Sequence, residues 1–359
     1  MRGETLALNQ HSPMHPEATA FSVEDDQPGT QQHCHSEPPS HGPVVTIVIP
    51  TFGRPLQLQA CLAALAEQTL LEPWDVVVVD DGSPQSIEGL GPAWAGRLDL
   101  RVIRQNNAGP AAARNRGVQE ARGTWIAFTD DDCRPEPQWL VTLMRTARER
   151  PGALVGGTTL NGLGSELFAT TSQLIVDLVY AHFNADPDNA YFFASNNIIC
   201  PRKYFLSLGG FDRSFPRAGA EDRDFCDRWR IAGWPLIWCQ GARVEHRHSQ
   251  SLRKFIDLHI RYGRGAHLYQ AKRTQRQSGT MQDDFGFHRT LFRRLRRHLA
   301  ERNLHIPEKL SLVAAFGLWQ VANAVGFFIE ALSVVARRHL LPPDPRCIAQ
   351  MASESRPGR

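Results

Sequence analysis

From Val44 onward, unbroken apolar runs alternate with segments whose apolar residues recur every three or four positions. VVTIVIP at 44–50, DVVVVD at 75–80, LRVIR at 100–104 and TWIAFT at 124–129 predict buried strands. Between and after them, RPLQLQACLAALAEQ at 54–68, a stretch opened by Pro110 and PQWLVTLMRTARER at 137–150 predict amphipathic helices. Strands this apolar must be covered on both faces, which implies an α/β architecture built on a mostly parallel sheet. Such sheets take ligands beyond the carboxyl ends of their strands, where helix first turns present free N–H groups.

After residue 158 the rhythm weakens into a Gly/Thr/Asn loop. There follow an amphipathic stretch at 166–183, a strand at 191–200, a short helix ending at Gly209-Gly210 and an acid-rich helix start at 218–229. The strand WPLIWC, the segment ARVEHRHS and a basic helix from Ser251 to about Lys272 complete this half, predicting a domain over 43–272. Residues 273–340 read as a helical extension. Phe287, Leu291, Leu295 and Leu299 recur at helical spacing with Arg293, Arg294, Arg296 and Arg297 on the flanks, and 310–336 carries a single charge, Glu330. That length permits a membrane span, yet an acid at the bilayer centre costs about 2.5–3.5 kcal/mol. Three placements stay open: lying in the interface, packed against protein, or spanning.

Residues 1–42 and 341–359 lack the apolar content to offset the entropy of ordering and are expected to be disordered tails. His33-Cys34-His35 falls in the first of them and is read as solvated composition. With 42% hydrophobic and 21% charged residues, the rest is globular rather than fibrous or disordered. Seven scattered cysteines offer neither a disulfide framework nor zinc-ligand spacing, and the N-terminus builds no apolar run of leader length, so a cytoplasmic location is expected. Residues 253–305 hold thirteen Lys/Arg against four Asp/Glu, a local basic region that points to one anionic partner, with phosphates, lipid headgroups and RNA as candidates. Beside the apolar helix, an anionic membrane surface is expected. The region lacks the interleaved aromatics of a nucleic-acid site, so no nucleic-acid partner is expected.

Candidate chemistry gathers at strand ends. Asp80 and Asp81 close the second strand, where two like charges call for a donor or cation nearby. Asp130, Asp131 and Asp132 follow the fourth. In an extended segment Asp130 and Asp132 would share a face and Asp131 would point away, and paired carboxylates of that kind suit Mg²⁺ or Mn²⁺. Asn107, Gly109 and Arg114 surround a Pro-opened helix start, a setting suited to a diphosphate. Glu221 and Asp222 open a helix behind small residues, and a carboxylate held there can take a proton from a hydroxyl. His246 and His248 alternate, so either can complete a metal site.

The order VVTIVIPTFGRP, VVVVDDGS, NNAGPAAARNRG, WIAFTDDDCRP, NNIICPRKYFLSLGGFD, AGAEDRDFCDRWRIAGWPL, VEHRHS resembles the family-2 glycosyltransferases over residues 44–250. These are inverting sugar transferases with the nucleotide-diphospho-sugar (GT-A) fold. The resemblance implies a nucleotide-diphosphate sugar donor, a divalent metal (Mn²⁺ or Mg²⁺) and an acceptor hydroxyl. By it, Pro50, Thr51, Phe52 and Arg54 form the first nucleotide loop, with Phe52 against the base and Asp81, beside Asp80, reading it. Asn107, Gly109, Arg114 and Asp131 join them as nucleotide-sugar contacts. Asp130, Asp132 and His246 match the metal ligands, Asp222 of the Glu221-Asp222 pair matches the catalytic base, and Arg228 matches a recurring arginine with a structural or phosphate-adjacent role. The QxxRW signature of processive synthases is missing, as is the GxGxR loop of nucleotidyltransferases. A lipid-linked or cell-envelope glycan acceptor is expected, with a catalytically silent sugar-nucleotide-binding or scaffold protein as the alternative.

Overall fold

A computed structural model describes residues 42–164, 166–215, 219–301 and 304–340. The two expected tails, apart from Gly42, and the His33-Cys34-His35 cluster lie outside the described residues. The strands are β1 (Val45–Thr51), β2 (Trp74–Asp80), β3 (Leu100–Arg104), β4 (Trp125–Thr129), β5 (Cys133–Pro135), β6 (Leu154–Asn161), β7 (Asn197–Pro201) and β8 (Leu236–His246). They form one eight-stranded sheet in the order β3-β2-β1-β4-β7-β6-β8-β5. The half from β3 to β4 is parallel throughout, whereas β7 runs antiparallel to both neighbours and β5 antiparallel to β8.

The helices are α1 (Pro55–Leu65), α2 (Leu90–Trp94), α3 (Pro110–Gln119), α4 (Trp139–Glu149), α5 (Leu167–Phe183), α6 (Arg202–Ser207), α7 (Glu221–Ile231), α8 (Leu252–Arg276), α9 (Met281–Glu301) and α10 (Ile306–Leu340). Strand alternation sends Val45, Ile47 and Ile49 to a core with Leu58, Leu62 and Leu65 of α1 and Trp139, Leu140 and Leu143 of α4. Val48 and Phe128 face the opposite core, with Val118 of α3, Phe205 of α6 and Phe225 and Trp229 of α7. Every residue of β1 is buried, as the unbroken apolar run requires.

Two strands differ from the sequence reading. β6 occupies a stretch whose two glycines and two threonines mask strand character, and the bulge between Gly156 and Thr158 interrupts its pairing with β8. Asn197 holds that irregularity: its Nδ2 donates to the Thr158 and Ala242 carbonyls, each at 3.1 Å, while its Oδ1 accepts from Trp139 Nε1 at 2.8 Å. The strand expected over 191–200 is confined to its second half, β7, because residues 190–194 pack as an irregular segment over Tyr180 and Trp238.

The boundary expected at 272/273 falls inside α8, and the described residues form one compact unit. A third core explains why. Leu174 and Leu178 of α5 and Phe255 of α8 pack with Leu291, Leu295 and Leu299 of α9 and Leu312, Phe316 and Trp319 of α10. Glu330 is buried and accepts from Arg264 Nε of α8 at 2.8 Å, so the acid that argued against a span is neutralised within the protein. Helices α8 and α10 touch backbone to backbone: a Cβ on Gly326 would lie 2.0 Å from the Ile260 carbonyl oxygen. The face of α10 turned away from this packing exposes Leu310, Val321, Phe328 and Leu332.

Candidate active site

Strand order sets the site. With β3, β2, β1 and β4 adjacent and parallel, Arg104, Asp80, Thr51 and the acids after Thr129 line up at one edge. Asp80 is fully buried, its oxygens taken by Ser83 N at 2.8 Å and Arg104 Nη1 at 2.7 Å. Asp81 clamps the loop ahead of α3, accepting from Gln105 Nε2, Ala108 N and Gly109 N, each at 2.8 Å. Gly109 (φ 90°) turns its N–H to that carboxylate, and Gly82 (φ 80°) leaves room for Asn107, whose amide nitrogen lies 2.9 Å from where a Cβ would stand. Asn107 Nδ2 donates to the Asp81 carbonyl at 2.9 Å. Phe52, 47% exposed beside Pro50 and Thr51, presents a bare aromatic face at the rim.

The Asp130–Asp132 segment is a turn closed by Cys133 N donating to the Asp130 carbonyl at 3.0 Å, and not the extended run the sequence suggested. The three acids therefore diverge. Asp130 Oδ1 accepts from Arg114 Nη2 at 2.6 Å. Asp131 turns inward, taking Thr51 Oγ1 at 2.7 Å and Arg54 Nη1 at 3.1 Å, and burial pushes its carboxyl up to about 7 against the pull of Arg54. Asp80 and Asp131, expected among the nucleotide-sugar contacts, thus commit their oxygens inside the protein.

Asp132 is the hub. It accepts from Arg54 Nη1 at 2.7 Å and lies 2.9 Å from His248 Nδ1 and 3.2 Å from His246 Nε2. Burial alone would raise its carboxyl, but the two imidazoles and Arg54 hold it well below the usual carboxylate range. Burial lowers and Asp132 raises His246, with a net rise. Register brings these groups together, because Cys133 of β5 pairs with His246 of β8. Donor atoms of Asp132, Cys133 and His246 lie within 4.8 Å of one another, while Asp130 is drawn toward Arg114 and stands outside that cluster. Burial keeps the Cys133 thiol protonated, which leaves oxygen and imidazole donors, a set suited to Mg²⁺ or Mn²⁺. A carboxylate and an imidazole sharing a proton offer the kind of position a divalent cation takes on proton release. The residues fit the expected ion.

Arg114 joins the two sides of the crevice. Buried one turn into α3, it holds Asp130 with Nη2 and places Nη1 3.6 Å from Glu221 Oε1. Glu221 Oε2 accepts from Gly219 N at 2.8 Å, and Asp222 Oδ1 from Arg223 N at 2.8 Å. No donor among the described residues reaches Asp222 Oδ2. Burial and the Glu221 charge push the Asp222 carboxyl up to about 7, opposed by Arg223 and Arg114. Arg228 proves structural: it bonds Asp224 Oδ2 at 2.8 Å and the Leu208 and Gly210 carbonyls at 2.8 and 2.7 Å. Sequence reasoning did not single out Tyr262 of α8, which is 40% exposed and near enough to Asp222, Glu221 and Asp130 for their charges to raise its phenol. Nothing in the local pattern of α8 marks it.

A parallel half-sheet whose carboxyl edge feeds an acid cluster, continued by a mixed half-sheet that returns a histidine to it, is the arrangement of the GT-A fold. Residues 46–209 of the chain match the family described as Glycosyl transferase family 2. A chondroitin synthase of Escherichia coli is 28% identical over 237 residues, which cover 56% of this chain and 34% of that protein. A pre-mycofactocin glycosyltransferase of Mycobacterium tuberculosis is 30% identical over 240 residues, 65% of this chain and 49% of that one. The chain thus spans between about a third and a half of the length of these relatives. Among solved structures, a mannosyltransferase from Pyrobaculum calidifontis in complex with GDP-Man and Mn²⁺ shares the fold with a TM-score of 0.50 at 19% identity, over 88% of this chain and 81% of that one.

Proposed function

We propose that this enzyme moves a sugar from a nucleotide-diphosphate donor to an acceptor hydroxyl with inversion, using Asp222 as general base. The observation that carries the reading is Arg114, one buried guanidinium spanning Asp130 and Glu221, which supports a single crevice shared by the diphosphate-side acids and the base helix. Asp222 Oδ2 accepts the acceptor's proton as its oxygen forms a bond to the anomeric carbon. The bond from that carbon to the diphosphate oxygen breaks, and its electron pair leaves with the diphosphate. One displacement from the opposite face inverts the anomeric centre. A carboxyl near 7 suits this task, and general-base help of this kind is worth about 10²–10⁴-fold. Asp132 and His246 would hold Mn²⁺ or Mg²⁺, which when bound neutralises charge on the leaving diphosphate, while Asp130, expected as a third ligand, is drawn off by Arg114. Arg54 and Arg114 hold the acids in place, and Phe52 offers a face to the base.

The acceptor in this reading is a lipid-linked or cell-envelope glycan, reached from the cytoplasmic face of a membrane. Support comes from the exposed apolar face of α10 and from α9, where Phe292, 68% exposed, is flanked by the exposed Arg293, Arg296 and Arg297. The test is a donor panel with Mn²⁺ or Mg²⁺, with and without membrane extract, scoring nucleoside diphosphate release and the anomeric configuration of the product by NMR. Inverted product supports the proposal and retained configuration contradicts it. Donor binding with no turnover from any donor favours a silent binding protein.

A further inference from the structure

A second cleft lies where the helix that carries the proposed base faces α5 and α8. Arg223, Asp227 and Arg230 of α7 share that face by helical spacing, and Phe183, Tyr191, Phe192 and Tyr269 wall it. The Arg223 guanidinium sits 5.5 to 5.7 Å from the ring centroids of Phe183, Phe192 and Tyr269. Arg230 lies 3.6 Å over Tyr191. Neither arginine has a carboxylate partner among the described residues, although Asp227 lies between them in sequence. Its Oδ2 is taken by Arg276 Nη2 and Ser278 Oγ, both at 2.7 Å. Aromatic walls hold a guanidinium by its faces and leave its N–H edge free for a planar or tetrahedral oxyanion. The cleft offers water-sized groups about 40 Å³ in which to centre, room for about three waters at 10–15 Å³ each and so for the oxygens of one phosphate group.

From this geometry we infer that the Arg223–Arg230 cleft binds a phosphate group of the acceptor, anchoring it beside Asp222. The inference rests on the glycosyl-transfer reading for the word acceptor and on the cleft alone for phosphate. Position argues for the acceptor: the cleft lies on the face of α7 next to the one that carries Asp222, near enough for the Arg223 charge to act on that carboxyl, whereas the donor-side acids stand across Arg114 on α3 and the β4–β5 turn.

The test titrates inorganic phosphate onto the full chain in EDTA, followed by ³¹P line broadening. Saturable binding that weakens at least about tenfold in Arg230→Gln and in Arg223→Gln, recovers in part in Arg223→Lys, and stays within about twofold in Arg97→Gln, an exposed arginine outside the cleft, supports the inference. Absence of saturable binding, equal binding by all variants, or loss only in Arg114→Gln overturns it. Thermal melts identify any variant that fails to fold, and Arg230→Gln and Arg223→Gln report independently. A second arm compares acceptors that differ only in a terminal phosphate. Arg230→Gln is expected to erase at least about tenfold of the KM advantage of the phosphorylated one, while an unchanged advantage assigns the cleft to free phosphate and overturns the acceptor assignment. Absence of transfer by the native protein sinks the glycosyl-transfer reading and leaves the phosphate arm standing.

Discussion

As the proposed base, Asp222 can act only when it has lost its proton, and burial beside Glu221 sets where that happens. A pKa raised to about 7 means the active, ionised form is depleted below that pH. We expect kcat/KM to climb about tenfold per pH unit up to about 7 and then level off. Asp222→Asn should lower kcat by about 10²–10⁴-fold while the donor still binds, measured by turnover and by equilibrium binding of nucleoside diphosphate. Glu221→Gln removes the like charge, so the rising limb should move to lower pH, and an unmoved limb would assign the titration to another group. At this scale the sequence singled out the acids that the structure gathers here, but not their directions. A turn at 130–132 cannot be told from an extended run by three identical residues, and the partner that turns Asp132 into a hub, His248, sits 116 positions away.

The element that presents Asp222 begins under strain. Ala220 precedes α7 with φ 69°, a left-handed conformation that costs an L-residue about 1–2 kcal/mol, and its side chain caps nothing. Replacing it by glycine relieves the strain but adds freedom to the unfolded chain worth about 0.4–1 kcal/mol. Ala220→Gly should therefore gain roughly 0.5–1 kcal/mol, a rise in Tm of about 1–4 °C by calorimetry. A fall in Tm would show that the strain is not there. Acids in the first turn of α7 were legible in the sequence, because the helix dipole favours them. The left-handed Ala220 was not, since nothing in Ala-Gly-Ala marks which residue must turn. Strands β1 to β4 were legible for the opposite reason: unbroken Val/Ile runs admit few other readings, whereas β6 hides behind Gly and Thr.

In the whole molecule, the basic and apolar helices that follow the sheet domain pack onto it through α5 and α8 and leave one apolar and one basic face exposed. If those faces meet anionic lipid, each arginine near the surface adds about 1 kcal/mol. Changing Arg293, Arg296 and Arg297 together to Gln should weaken flotation with phosphatidylserine vesicles by roughly 100-fold, and binding by the native chain should fall with salt. Binding that ignores both would point to the apolar face alone. The amphipathic spacing of α9 was plain in the sequence. Its docking was not, because a buried Glu330 paired with Arg264 looks the same in one dimension as a stray charge in a span.

The most direct measurement is release of nucleoside diphosphate from a sugar donor, with acceptor present, by the native chain, Asp132→Asn and Asp222→Asn, each with and without Mn²⁺. The account predicts metal-dependent release by the native chain, lost stimulation by Mn²⁺ in Asp132→Asn, and a bound but unreacted donor in Asp222→Asn. Full turnover by Asp222→Asn, or identical metal response in Asp132→Asn, would contradict it.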